Sequence, residues 1–306
     1  MIAEHFDSAQ RPEKNEFPAG ETASNLIYSN MFIDFSHRTY IMGVLNVTPD
    51  SFWDGGRYLD PAAAVEHALS MIADGADIVD VGGESTRPKG VYGQGAVLLG
   101  AEEEMRRVLP VIEQLASKTD IPISIDTYKS EVAEAALKAG ARIINDVSGM
   151  NFDPRIADVA AKNGASLVLM HMLGTPATMQ QNPHYTDVVA EVKEFLGSRI
   201  AVARQAGVKD IIVDPGLGFG KTLEHNLALI RHLREFKTLG CPILIGPSRK
   251  AFIGALLDTQ VDDRLCGTTA AVAACIANGA DIVRVHDVRE MKHVAIVTDA
   301  IVHSKG

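Results

Sequence analysis

Two acids and an amide, Asp126, Asn145 and Asp214, each close a short apolar run, and three cations, Arg249, Lys250 and Arg284, stand in or just past later runs. A carboxylate accepts two parallel hydrogen bonds and so suits a heterocycle with paired N–H donors. Guanidinium and ammonium groups suit a phosphate or pyrophosphate, or else neutralise the acids. A site holding both sets would bind a donor-rich heterocycle that carries an anionic leaving group. Taken singly, an acid or amide behind a strand reads as a helix cap or turn former. Asn46, Asp80 with Glu84, His171, Ser248 and His286 repeat the same placement, and the repetition is what points to one shared site. The clearest stretch is Ile211-Ile-Val-Asp-Pro-Gly-Leu-Gly-Phe-Gly-Lys221, where a buried β-branched run ends on Asp214 and proline and glycine stop the strand.

Other chemistries lack their residues. There is no Cys/His cluster and no His-x-x-x-His pair, so no dedicated transition-metal site is visible, and no Gly-x-Ser-x-Gly elbow occurs. Gly216-x-Gly218-x-Gly220 lacks the final spacing of a dinucleotide loop. His171, between Met170 and Met172, reads equally as a hydrogen-bonded histidine at the core edge or as a ligand. Residues 46–57 and 82–90 are polar, rich in Gly, Asn, Thr, Ser and Arg, and have the composition of lid loops.

The elements that must position these residues alternate. Strands are expected over residues 40–45, 78–81, 121–125, 142–145, 167–170, 211–213, 243–245 and 282–285. Helical spacing fills residues 61–73, 102–115, 131–139, 154–162, 186–205, 223–236 and 264–278. A Gly-Ala pair before the next strand recurs at Gly75, Gly140, Gly164 and Gly279, as a helix-ending repeat. Eight strands alternating with helices imply a parallel α/β sheet, and the number favours a single closed (β/α)8 TIM barrel over an open doubly wound sheet. Ligand groups should then come from the carboxyl ends of several strands. Residues 1–36 read as a polar N-terminal extension and 37–306 as the barrel.

Composition sets the outer limits. The 306 residues, 46% hydrophobic and 22% charged, are ample for one large core. A net charge of −10 disfavours nucleic acid as a partner, so an anionic ligand must be bound locally by Arg and Lys. Three cysteines without a Cys-x-x-Cys pair fit a reducing cytoplasm. No apolar run reaches membrane-spanning length, and the N-terminus lacks the apolar core of a signal peptide.

The motifs Gly43-Val-Leu-Asn-Val-Thr-Pro-Asp-Ser-Phe52, Gly82-Gly-Glu-Ser-Thr-Arg-Pro88, Ile144-Asn-Asp-Val147, Met170-His-Met172, Asp214-Pro-Gly-Leu-Gly-Phe-Gly-Lys221, Ser248-Arg-Lys250 and Arg284-Val-His-Asp-Val288 occur in one order over residues 38–302. In this the chain resembles the dihydropteroate synthases. The resemblance implies a transferase of folate biosynthesis that condenses 6-hydroxymethyl-7,8-dihydropterin pyrophosphate with p-aminobenzoate, using Mg2+. It places Asp126, Asn145 and Asp214 on the pterin, with Lys250 reaching the ring and Arg284 stacked on its face. Phe219, Lys250, Ala251, Thr86, Arg87 and Pro88 would surround p-aminobenzoate. Asn46, Thr86, Arg87, Arg284 and His286 would contact the pyrophosphate, with Asn46 also near Mg2+, and Lys250, Arg284 and Asp126 would be the catalytic set. No base stands close to the amine, so the displacement is expected to be dissociative, with pyrophosphate leaving ahead of attack. Sulfonamides should compete with p-aminobenzoate, and the family pairs into homodimers.

The chain departs from the family at Ala251, where the Ser-Arg-Lys triplet is usually followed by serine. A hydroxyl for the aminobenzoate carboxylate is missing, although the Ala251 N–H could still donate. Three rivals stay open: a pterin-binding methyltransferase-like domain, a catalytically silent pterin-binding paralogue, and a phosphate-binding barrel of another activity. The first would keep the pterin residues but has no use for residues 46–52 or 85–88.

Overall fold

The computed structural model describes residues 38–48, 60–84 and 99–302, together with Phe35. Eight parallel strands form its centre: β1 (Tyr40–Asn46), β2 (Ile78–Gly82), β3 (Ile123–Asp126), β4 (Ile143–Asp146), β5 (Ser166–Met170), β6 (Ile211–Asp214), β7 (Leu244–Ile245) and β8 (Ile282–Val285). Between and after them run α1 (Pro61–Ala73), α2 (Ala101–Ala116), α3 (Ser130–Ala139), α4 (Ile156–Asn163), α5 (Val188–Gln205), α6 (Leu223–Arg231), α7 (Ala251–Leu257), α8 (Leu265–Ala277) and α9 (Val288–Val302). The strand order is β6-β5-β4-β3-β2-β1-β8-β7. A bridge from Val213 to Ile243 closes the ring between its two ends, with the Val213 N–H donating to the Pro242 carbonyl at 2.9 Å. The chain is therefore a (β/α)8 barrel, as its alternation predicts.

Two shells of apolar residues hold the barrel. The outer core lies between strands and helices and includes Val65, Ile112, Leu115, Leu196, Phe236 and Met291. The inner core is a layer of Met42, Ile78, Ile143, Val168, Ile212, Leu244 and Ile282, one residue from each strand except β3, with Phe35 packed against it. Opposite Ile143 of this layer, β3 carries Ser124. Helix α1 starts where proline should help it: Asp60 caps the helix by accepting from the Ala62 N–H at 2.8 Å, and Pro61 follows at the first position. The four glycines of the Gly-Ala repeat all have positive φ.

Three details differ from the sequence expectation. The helix expected over 223–236 breaks at His232, and residues Leu233–Leu239 continue as a 3-10 turn. Leu233, Phe236 and Leu239 are spaced by three, so a three-residue turn aims them at the same core. Strand β3 starts two residues late, after Pro122, which has no N–H for a ladder. Helices α7 and α9 lie outside the expected segments, although Val288, Met291, Ala295 and Thr298 give α9 an ordinary buried stripe.

Candidate active site

Two residues further along, five of the eight strands make the barrel interior polar: Ile78 gives way to Asp80, Ser124 to Asp126, Ile143 to Asn145, Ile212 to Asp214 and Ile282 to Arg284, while β1, β5 and β7 place Val44, Met170 and Gly246 there. Strand side chains repeat every two residues, so each pair shares the inward face. The apolar layer is the floor of a polar one.

Arg284 is the hub of that layer. Its Nε donates to Asp80 Oδ2 at 2.6 Å and its Nη2 to Asp126 Oδ2 at 2.7 Å. Asn145 Nδ2 donates to the same Asp80 oxygen at 2.9 Å. Burial works against the guanidinium charge, but Asp80 and Asp126 outweigh it and raise the Arg284 pKa. Burial pushes Asp126 up to about 7, with Arg284 opposing and Asp80 and Glu104 adding to the shift.

Across the mouth, Asp214 Oδ1 accepts from the Gly216 N–H at 2.7 Å. Burial pushes this carboxyl up to about 6, against that hydrogen bond and the Lys250 and Lys221 charges. The loop after Asp214 lies directly on the end of β5. A Cβ at Gly216, where φ is +73°, would meet the His171 carbonyl oxygen at 2.0 Å, and one at Gly220 would meet Leu173 Cβ at 2.6 Å. Lys221 ties the two segments together, its Nζ lying 2.9 Å from His171 Nδ1 and donating to the carbonyls of His171 at 3.2 Å and Phe219 at 3.0 Å. Burial lowers the Lys221 pKa to about 7, with Asp214 opposing. Burial and the Lys221 charge lower His171 to about 3, which leaves a neutral imidazole whose Nδ1 faces Lys221.

The cations at the far side are held by their own loop. Arg249 takes a left-handed φ of 56° and pairs with Asp287 through Nε at 3.0 Å, while Arg264 Nη1 donates to the Arg249 carbonyl at 3.0 Å. This geometry turns Lys250 inward, with Nζ 4.3 Å from the centroid of Phe219. Ala251 opens α7 with an exposed side chain. Ser248 Oγ and His286 Nδ1 are 3.1 Å apart. At the end of β2, Glu84 is gripped by Lys129 and accepts from the Tyr128 hydroxyl at 2.7 Å, while Lys129 Nζ also donates to Glu104 at 2.5 Å.

These groups surround a cleft in two parts. The outer part is a cavity of about 620 Å³ bounded by Asn46, Glu84, Ala251, His286 and others. The inner recess, about 30 Å³, is lined by Asn145, Asp214, Met170 and Leu217. Asp126, Phe219, Gly246, Lys250 and Arg284 border both. Asn46, Asp126, Asn145, Asp214, Phe219, Lys250, Ala251, Arg284 and His286, all expected from the sequence, thus come to one cleft. Thr86, Arg87 and Pro88 lie outside the described residues. Arg249 lines the outer cavity too, while pairing with Asp287 and shaping its loop. Asp80 stood among the strand-end residues and Lys221 closed the Asp214 motif, but sequence alone assigned neither a specific role. Among the described residues no cluster of three or more His, Cys, Asp or Glu could hold a metal, and no helix is long and apolar enough to cross a membrane.

The family described as pterin binding enzyme matches residues 42–286. A dihydropteroate synthase of Synechocystis is 48% identical over 272 residues, 88% of this chain and 92% of the relative. The structure of dihydropteroate synthase from Clostridium difficile in the presence of pteroic acid superposes with a TM-score of 0.82 at 46% identity, covering 89% of this chain and all of the other (100%). That of Xanthomonas albilineans with 4-aminobenzoic acid gives 0.80 at 44%, covering 88% and 94%.

Proposed function

Because the chain belongs to the pterin-binding enzyme family, among the dihydropteroate synthases of folate biosynthesis, we propose that its cleft carries out their transfer by a dissociative, Mg2+-assisted displacement. 6-Hydroxymethyl-7,8-dihydropterin pyrophosphate loses pyrophosphate and p-aminobenzoate captures the exocyclic carbon, giving 7,8-dihydropteroate. The observation that carries this reading is the inner recess, where two acids and an amide face inward from β3, β4 and β6 beside two cations.

Asp126, Asn145 and Asp214 accept from the pterin amino and ring N–H groups. The recess has room for little more than one water, so a ring that reaches Asn145 and Asp214 must displace Lys250 or Arg284. Arg284 swinging onto the ring face would release Asp126 to accept from the ring. Phe219 and Lys250 flank p-aminobenzoate, whose carboxylate meets the exposed start of α7 at Ala251. Asn46 and His286 hold the pyrophosphate in the outer cavity, and Thr86, Arg87 and Pro88 would complete this end and the aminobenzoate pocket. Lys250, Arg284 and Asp126 form the catalytic set.

Asn46 offers a single hard oxygen, which fits a magnesium ion carried mainly by phosphate oxygens and water rather than one caged by protein. Such an ion would neutralise charge building on the leaving group. An arylamine is nucleophilic when neutral and needs no strong base. The carboxylates around the ring favour the cationic pterin methylene left after departure, and exclusion of water keeps it for the amine.

A homodimer also belongs to this reading. Leu256 and Leu257 on α7, Leu265 on α8, and Ile296, Val297 and Ile301 on α9 are exposed, and α8 packs along both neighbours. Exposed apolar side chains on three neighbouring helices support pairing with a second copy, and a mass of twice 32.8 kDa in light scattering is the expected result. The primary test is pyrophosphate release with and without p-aminobenzoate and with and without Mg2+. Release that requires p-aminobenzoate and yields dihydropteroate supports the synthase. Tight pterin binding without turnover leaves the silent paralogue or the methyltransferase-like domain.

A further inference from the structure

Asp80 is fully buried, and one of its oxygens, Oδ2, accepts from both Arg284 Nε on β8 and Asn145 Nδ2 on β4. The carboxylate thus joins two strands on opposite sides of β2 through a single atom. A carboxylate held by a guanidinium only accepts, so the amide beside it must present its NH2 group and turn its carbonyl oxygen the other way. Asn145 borders the inner recess, where a ligand would meet that oxygen. The second Asp80 oxygen, Oδ1, is buried without a partner, and so is the hydroxyl of Ser124, its register partner on β3. The carboxylate is therefore oriented by its two donors and by nothing on the other side.

We propose that Asp80 is the positioning residue that fixes Asn145 as a hydrogen-bond acceptor and so makes the recess select a ring bearing an amino donor over one bearing a carbonyl at the same place. The inference rests on the pterin reading of the recess. An amide free to rotate could serve either ring, because its two ends have nearly the same shape and opposite hydrogen-bonding sense. Held by Asp80, it offers oxygen only. Arg284, anchored through Nε, keeps its outer nitrogens available to Asp126 or to a ligand.

The experiment compares the affinities of 6-hydroxymethylpterin and its 2-oxo analogue for the full chain, for Asp80→Leu and for Asp80→Asn, by calorimetry. The parent is expected to prefer the 2-amino ring by about 100-fold, the order expected when a donor is replaced by an acceptor against a buried acceptor set. Asp80→Leu should lose at least a factor of ten of that ratio, because Asn145 can then turn. Asp80→Asn should keep the ratio within threefold, since its amide oxygen can take the place of Oδ2 and its NH2 group can face Ser124. A parent without preference removes the pterin reading and the inference with it. A selective parent with an Asp80→Leu variant that weakens both ligands equally overturns the inference alone. Should Asp80→Leu fail to fold, a folded Asp80→Asn that loses the ratio overturns it equally.

Discussion

Asp214→Asn separates binding from stability, because one backbone bond dictates what the new amide can do. In the parent, Oδ1 takes the Gly216 N–H at 2.7 Å, which leaves Oδ2 for the ligand. The variant must keep its carbonyl oxygen on that N–H, so its NH2 group occupies the ligand-facing position, a donor set against the donors of the pterin. Losing a hydrogen bond to a charged group costs about 1.5–3 kcal/mol. With the facing donors left unpaired, about 3 kcal/mol is expected, or roughly 100-fold in pterin affinity. The fold should respond in the opposite sense. Burial raises Asp214 from 3.8 to about 6. The folded carboxyl therefore holds its proton over a pH range in which the unfolded one has lost it. Its contribution to stability falls as pH rises from about 4 to about 6, and above that the cost of ionisation is fully present, about 3 kcal/mol. At pH 8 the amide removes that cost. Titration calorimetry with 6-hydroxymethylpterin and thermal melts at pH 8 read both effects. Affinity within threefold of the parent would refute the assignment of Oδ2 as the ligand acceptor, and a melting temperature below the parent's at pH 8 would refute the ionisation cost.

Further outcomes follow from the same geometry. Pterin affinity should rise with pH and level off above about 8, because Asp214 and Asp126 ionise at about 6 and about 7 and only the ionised forms accept fully; a flat profile from pH 5 to 8 contradicts this. Lys221→Met frees the carbonyls of His171 and Phe219, so KM for p-aminobenzoate should rise about tenfold through the displaced Phe219 ring, with a smaller change for the pterin substrate. Gly216→Ala drives a methyl group into the His171 carbonyl at a left-handed φ and should cost at least about 3 kcal/mol, read by urea unfolding. Ala251→Ser restores a hydroxyl at the start of α7 and should lower KM for p-aminobenzoate several-fold, with the KM for the pterin substrate unchanged.

The eight strands were legible because each is a short apolar run ended by Gly, Pro or a polar residue, and the strand-end acids, amide and cations were legible because a barrel sends such residues to one mouth. What they do to one another was not. Asp80 pairs with Arg284 from 204 residues away, and a strand-end acid looks the same in sequence whether it faces a ligand or a guanidinium. Asp146 makes the same point from the other side. It adjoins Asn145 in the same motif, but strand alternation turns it outward, where it accepts from the Ser148 and Met150 N–H groups and shapes the loop after β4. Arg249 looked like a ligand cation beside Lys250 and lines the outer cavity, and its left-handed φ and its bonds to Asp287 also make it a brace for the loop.

The division of the barrel interior into two layers explains how such a site is tolerated. Seven of the eight strands place an apolar residue in the lower layer, and the eighth places Ser124, whose hydroxyl is among the few buried side-chain atoms without a partner. One step higher, Asp80, Asp126 and Asp214 share the Arg284 charge at the axis, and burial raises the Asp126 and Asp214 carboxyls. Buried ion pairs of this kind are often replaceable by apolar residues at no cost to stability. The lower layer and the helix-facing core carry the fold, so the strand ends are free to hold groups whose hydrogen bonds are completed by a ligand rather than by the protein. Substitutions that neutralise the upper layer should therefore separate activity from stability, whereas those in the lower layer, such as Ile212→Ala at about 2–5 kcal/mol, should lower both together.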